Sequence, residues 1–252
     1  MRNIKLLVSY DGTDFCGWQR QSEYPSGQRS VQTVIETALA KMHRHPVALS
    51  GSGRTDSGVH AAGQVANFRT DIKSISPGQF VPALNGLLPQ DVRILDAAEA
   101  SSGFHARFDA RSRTYRYHFI CGRRALPHES RYALQLWRIP RIDLLNAYCR
   151  LLHGECDCTV FAGAKDTSTS RFRNIFSAAF FYENRQLIFE ITANAFLWKM
   201  VRSVAGTFLF NEERGAAPET VNDIIASKDR RLAGPTLAPQ GLFLWKIDYY
   251  RQ

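Results

Sequence analysis

The sequence predicts an α+β fold of two similar α/β halves, each with mostly antiparallel sheet, that form a central cleft. Three observations predict it. Apolar-alternating segments follow one another across short turns, which favours hairpins over parallel crossover units. Segments of helical period lie between them without strict strand–helix alternation. The order β-α-β-β-α-β reads twice along the 252 residues, with one extra helix in the second pass and no repeat of the sequence itself. That length suits one large domain or two modest halves, and the expected division is 1–103 and 104–252.

Taken in order, Ile4–Tyr10 is β-rich and ends on Asp11-Gly12, a turn signal. Ser22–Ser30 is polar with Pro and Gly and reads as a loop. Val31, Val34, Ile35, Ala38, Leu39 and Met42 recur at helical spacing, so Val31–His43 is an amphipathic helix with Ser30 as N-cap. Val47–Ser50 and Gln64–Arg69 are strands flanking a glycine-rich loop. Ser76-Pro77 opens a helix through Leu88, since Pro suits a first helical position, and Pro89 stops it. Val92–Ala98 closes the first half as a strand. In the second, Thr114–Ile120 is a strand and Ile142–Leu152 a helix closed by Gly154. Ile175–Tyr182 and Gln186–Ala193 are strands joined by a tight Glu183-Asn-Arg turn. Helices over Phe196–Phe210 and Glu219–Ser227 and a strand over Leu242–Tyr249 complete the chain.

Composition excludes several classes. With 44% hydrophobic and 12% aromatic residues the chain can bury a core, which argues against disorder. No apolar run approaches the roughly 18 residues of a membrane span, and the apolar run after Met1 is too short for a secretory signal. Five cysteines, odd in number and irregularly spaced, point to a reducing cytoplasm and not to a disulfide framework. His153-Gly-Glu-Cys156-Asp-Cys158 invites a metal, but a structural zinc site needs a second ligand pair, and the segment reads as a helix-to-loop turn.

The charge is more informative. Lys plus Arg exceed Asp plus Glu by 32 to 23, a formal +9. Between Ser101 and Arg141 lie nine arginines, no lysine, and only Asp109 and Glu129 in opposition, so this stretch carries +7. Guanidinium pairs bidentately with phosphate and stacks on bases. Phe104, Phe108, Tyr115, Tyr117, Phe119, Tyr132 and Trp137 interleave with the arginines. A basic stripe with stacking rings is a footprint for RNA. The stretch begins the second half and would form a basic wall of the cleft. The competing reading is the wet face of an amphipathic strand.

Gly51-Ser-Gly-Arg54-Thr-Asp56-Ser-Gly58-Val-His60 is the densest cluster of special residues. It lacks the Gly-Lys-Ser/Thr of a phosphate-binding loop, the glycine spacing of a dinucleotide fingerprint and the Gly-x-Ser-x-Gly of a nucleophile elbow. What remains is an Arg and an Asp two positions apart among glycines that permit unusual backbone angles. In extended geometry Arg54 and Asp56 point the same way and can pair bidentately, which keeps the carboxylate ionised and suits a nucleophile or electrostatic stabiliser. Thr55, Asp56 and Ser57 are equally ordinary turn residues. His60 reads as a structural hydrogen-bonding residue.

Tyr10-Asp-Gly-Thr-Asp-Phe-Cys-Gly-Trp-Gln-Arg-Gln21, Val31-Gln32 and Gly53-Arg-Thr-Asp-Ser-Gly-Val-His-Ala61 together resemble the TruA family of tRNA pseudouridine synthases. Leu84-Asn85, Leu88-Pro89, Phe104-His-Ala-Arg107 and Arg113-Thr-Tyr115-Arg-Tyr117 continue the resemblance in order. Asn194-Ala-Phe-Leu-Trp-Lys-Met-Val-Arg202 and Ala238-Pro-Gln-Gly-Leu242 carry it almost to the end. The resemblance implies that Asp56 is the catalytic aspartate, Arg54 its paired arginine, Tyr115 the tyrosine that packs on the target base and Arg202 a second arginine approaching the aspartate. Ser57 stands where the family more often has Ala and Lys199 where it often has His, and the Ser22–Ser30 loop is longer than usual.

The reaction implied converts uridine to pseudouridine in the anticodon stem-loop, around tRNA positions 38 to 40, by a homodimer with one tRNA spanning both subunits. The N1–C1′ bond breaks, the base rotates and C5 bonds to C1′, with no net gain of atoms or electrons and hence no expected cofactor or metal. Oxocarbenium-like charge at an anomeric carbon is what glycosidases meet with a carboxylate. One suffices here, because the detached uracil recaptures the sugar. Attack of Asp56 on C1′ and removal of a sugar proton are both open. The base must leave its stack, to be held by stacking and edge hydrogen bonds. Arg107, Arg111 and Arg116, with Gln19, Arg20 and Lys199, are candidate RNA contacts. Exposed aromatics such as Trp137 would suit a dimer interface. The rival is a catalytically silent RNA-binding protein using the same basic cleft.

Overall fold

The computed structural model describes residues 1–20 and 29–250 and divides the chain into two units. Most of the polar loop expected over Ser22–Ser30 lies outside the described residues. One unit comprises Met1–Arg111 with Phe243–Gln252, the other Ser112–Leu242. Residues 104–111 and the last strand therefore belong with the first unit. The physical reason is pairing: Phe243 and Leu244 hydrogen-bond in parallel with His60 and Ala61.

In the first unit β1 (Arg2–Tyr10) lies between β3 (His60–Thr70) and β4 (Val92–Ala100), antiparallel to both. The opposite edge of β3 is shared by β2 (Leu49–Gly51) at one end and β10 (Leu242–Tyr249) at the other. Helix α1 (Val31–His43) has the expected bounds, because both of its ends are specified locally. The Ser30 side chain accepts the Thr33 amide, and Arg44 closes the helix in the left-handed region. Val31, Ile35, Ala38 and Leu39 form its buried stripe. The helix expected over Ser76–Leu88 is a 3₁₀ turn, Pro77–Gln79, followed by the short α2 (Phe80–Asn85). Gln79 Oε1 accepts the Ser76 amide at 2.6 Å.

In the second unit β5 (Ala110–Cys121, paired from Arg113) is followed across the sheet by β9 (Gln186–Ala193), β8 (Phe172–Glu183) and β7 (Gly154–Asp157), all antiparallel. The three-residue β6 (Leu134–Leu136) adds in parallel to the end of β5. Helix α3 (Ile142–Arg150) packs on β8, where Asn146 receives the Phe180 amide and donates to its carbonyl, at 2.7 and 2.9 Å. Helices α4 (Met200–Glu213) and α5 (Thr220–Ser227) follow. The core is aromatic: Tyr117 stacks on Phe119 and Phe180 on Phe189, each pair at 4.6 Å, and Phe208 meets Phe189 edge-on.

Mostly antiparallel pairing agrees with the sequence, but the second pass holds two further strands. β6 is too short to show alternation. β7 replaces the helix-to-loop turn expected around His153–Cys158, and its Gly-Glu-Cys-Asp composition gives no strand signal; pairing with β8 makes it one. Helix α4 begins at Met200, not near Phe196, because Lys199 takes φ +63° and breaks the helical path. Among the described residues no helix is long and apolar enough to cross a membrane, and no group of three or more His, Cys, Asp or Glu is placed to hold a metal.

Candidate active site

The loop between β2 and β3 is fixed from several directions. Its entry is held by Gln64, fully buried, whose side chain accepts the Ser52 hydroxyl at 2.7 Å and donates to the Gly53 carbonyl at 2.8 Å. Thr55 turns inward, only 7% exposed, and its hydroxyl shares a 2.8 Å hydrogen bond with Tyr10. The Thr55 carbonyl accepts the Trp18 amide at 3.2 Å. Beyond Asp56 the Gly58 amide and the Ser57 hydroxyl both donate to the Phe15 carbonyl, at 3.3 and 3.2 Å. Gly58 itself has φ +75°.

Segment 10–18 thus braces both flanks of Asp56 and leaves its carboxyl half-buried. The close approach requires glycine at two places. A Cβ on Gly12 would sit 2.0 Å from the Val59 carbonyl oxygen, and one on Gly17, at φ +107°, would sit 2.4 Å from the Thr55 carbonyl oxygen. A carboxylate on a backbone restrained this way has little orientational freedom, as attack at carbon or proton removal requires.

Arg54 differs from the sequence expectation. It is exposed, and among the described residues it has no ion-pair partner, so the Arg54–Asp56 pair that the spacing allows is not formed. The inward residue of the three is Thr55, captured by Tyr10, while Arg54 faces outward, where solvent weakens any pairing. His60 is fully buried, accepts the Gly12 amide on Nδ1 at 3.0 Å and stacks on Phe243 at 4.6 Å. That is a structural histidine.

The positioning residues Tyr10 and Gln64 were not singled out from the sequence. A buried tyrosine at the end of a strand has no local signal beyond its place beside Asp11-Gly12. Tyr10→Phe is expected to leave the Thr55 hydroxyl short of a buried partner and to lower stability by about 1–3 kcal/mol, read from the urea midpoint at unchanged slope.

In the second unit Tyr115 lies on β5 opposite Ile191, 9% exposed, with the Phe196 ring edge-on at 5.0 Å. Arg202, in the first turns of α4, donates from Nε to the Leu237 carbonyl at 2.6 Å. The segment that leads to Leu237 packs closely on α4: Gly234 donates to Thr207 Oγ1 at 3.0 Å, and a Cβ on Gly206 would lie 1.8 Å from the Pro235 carbonyl oxygen. Tyr117 lies behind, its hydroxyl donating to the Ala238 carbonyl. Burial pushes its phenol above the ordinary tyrosine range, against the opposing pull of the Arg202 charge, so it stays a donor. Lys199 rests over the Trp198 ring at 4.3 Å. Asp166 accepts the Trp198 amide; burial raises its carboxyl, but the Ser168 and Trp198 amides and the Arg171 charge outweigh this and hold it below the usual carboxylate range.

The expected RNA contacts separate into groups. Arg107 and Arg111 are exposed, the first over the Phe108 ring at 5.8 Å and the second over Tyr250 at 5.4 Å. Arg20 is exposed, 3.9 Å from Glu36, while Gln19 donates to Gln32 at 2.7 Å. Arg116 is held by Glu190 at 2.6 Å and Glu183 at 3.2 Å, which offsets its charge. Arg138 and Arg141 meet the buried Glu212, and Arg123 pairs with Glu129 at 2.6 Å. The +7 of the arginine stretch is thus partly neutralised, chiefly by glutamates from elsewhere in the chain.

A sequence model described as tRNA pseudouridine synthase matches residues 6–109 and 148–250. The chain is 55% identical over 249 residues to tRNA pseudouridine synthase A of Treponema denticola, covering 98% of this chain and 93% of that protein. It is 50% identical to the protein of the same name from Treponema pallidum subsp. pallidum, covering 93% and 84%. Against the one from Caldicellulosiruptor saccharolyticus it is 41% identical, covering 99% and 100%. With matches of this extent, the chain belongs to the tRNA pseudouridine synthase family.

Proposed function

We propose that the protein isomerises uridine to pseudouridine in the anticodon stem-loop of tRNA, at positions 38 to 40, as a TruA-type enzyme. The observation that carries this reading is the bracing of Asp56: a half-buried carboxylate whose two flanks are tied to segment 10–18 and to Tyr10. The N1–C1′ bond breaks as Asp56 meets the charge developing at C1′, either by attacking that carbon or by taking a sugar proton. The uracil turns and C5 bonds to C1′, which breaks the Asp56–C1′ bond on the first route and goes with return of the sugar proton from Asp56 on the second. The C5 hydrogen leaves as a proton and N1 gains one, so atoms and electrons balance.

Tyr115 supplies a ring for the face of the flipped base, and its near-complete burial with Phe196 beside it gives that ring a fixed plane. Arg202, its Nε held by the Leu237 carbonyl, carries a guanidinium suited to meeting an anion. Exposed and without an ion-pair partner among the described residues, Arg54 suits the RNA backbone better than the aspartate. Gln19, Arg20, Arg107, Arg111 and Lys199 are further backbone contacts, and Arg116, already offset by two glutamates, has the weakest geometric support. A homodimer in the cytoplasm completes the proposal; Trp137, 73% exposed, suits a subunit interface.

Unmodified tRNA tritiated at uracil C5 tests the reaction. Tritium should appear in solvent, up to three equivalents per tRNA. Absence of release across a range of salt concentrations rejects the reading.

A further inference from the structure

We propose that Phe108 is a stacking platform for an unpaired nucleotide of the tRNA, flanked by cations that hold the adjoining phosphates. The inference rests on tRNA being the substrate. Phe108 is 74% exposed, more than any other Phe, Tyr or Trp among the described residues. Its neighbours are aromatic and cationic: the His105 ring is 4.4 Å away, tilted by 34°, and the Arg107 guanidinium lies 5.8 Å over the ring. Three residues on, Arg111 stacks on the exposed Tyr250 at 5.4 Å.

The turn that carries Phe108 is firmly seated. Asn67 accepts the Ala106 amide at 2.9 Å, Tyr249 donates to the Ala106 carbonyl at 2.8 Å, and Asp109 accepts the His105 amide at 2.8 Å. An exposed ring on a braced turn is held ready at little entropic cost. Flexible phosphates with splayed bases are the partner this mixture fits: every base has a face to stack, and guanidinium binds phosphate bidentately. A second copy of the same cationic surface would be repelled by it.

Two probes separate stacking from charge: a single-stranded oligouridylate of about eight nucleotides, within the usual single-strand site size, and a backbone of equal length without bases. Phe108→Ala should weaken the oligouridylate by about five- to tenfold and leave the base-free backbone unchanged, while Phe108→Trp keeps parental affinity for both. Arg111→Ala should weaken both probes and lower the slope of log affinity against log salt by about one. Equal effects of Phe108→Ala on the two probes, or no effect on either, overturn the proposal. A change in oligomeric state of Phe108→Ala on gel filtration overturns it in favour of a protein contact. The parent protein's tritium release from tRNA is measured alongside: its absence rejects the enzymatic reading, whereas its presence with an indifferent Phe108 rejects the platform alone.

Discussion

Asp56→Asn is expected to lower single-turnover tritium release by about 10⁴-fold or more, the usual scale for removing a group that reacts directly. Affinity for tRNA should stay within about threefold, because phosphate contacts dominate such affinities and the substitution removes none. Asn has the same shape, and the loop is restrained by Tyr10, Gln64 and the Phe15 carbonyl. Filter binding and tritium release on the same preparation therefore give a divided result: binding kept, isomerisation lost. Residual isomerisation above about a tenth of the parent rate would falsify the assignment of Asp56 as the reacting carboxylate, and an unchanged rate would leave only the RNA-binding reading.

Gly17→Ala is expected to cost about 3–5 kcal/mol of stability, a large part of a domain's total. Two costs combine. The backbone at φ +107° disfavours any side chain, and the added Cβ would lie 2.4 Å from the Thr55 carbonyl oxygen. That oxygen cannot simply withdraw, since it accepts the Trp18 amide while the Thr55 hydroxyl is bonded to Tyr10. Relief must come from moving segment 10–18 off the Asp56 loop, so turnover should fall even where the variant is still folded. Gly53→Ala, in the same loop with nothing within 4 Å of its Cβ, is the control and should unfold at the parental urea midpoint. A Gly17→Ala midpoint equal to that of the control would show that the loop is not braced as described.

The elements legible in advance were those with local instructions. Helix α1 carries its own N-cap and apolar stripe, and β10 its own alternation, so their bounds could be read directly. The β8–β9 hairpin was read from two alternating runs, although Asn184 and Arg185 both take positive φ and one of them is an arginine. By contrast β6 and β7 exist only because a neighbouring strand offers an edge, and the start of α4 is set by the left-handed turn at Lys199. At the candidate site the sequence singled out the glycine-rich loop that carries Asp56, and the structure shows that loop tied to segment 10–18 on both sides. The state of Arg54 was not legible, because Thr55, captured by Tyr10 from 45 positions away, decides which side of the loop faces in.

The sequence by itself determined the chemistry on offer: a carboxylate among glycines, an arginine-rich stretch interleaved with rings, and the order of the helices and of every strand but β6 and β7. Tertiary structure decided which of those charges remain available. Strand register places Glu190 directly opposite Arg116, and α4 brings the buried Glu212 to Arg138 and Arg141. Arg107 and Arg111, with an exposed phenylalanine between them, lie on the surface. Charge in a segment adds along the chain, but the potential an RNA meets depends on distances in space, and those are set by sheet register and helix packing between residues some 70 positions apart.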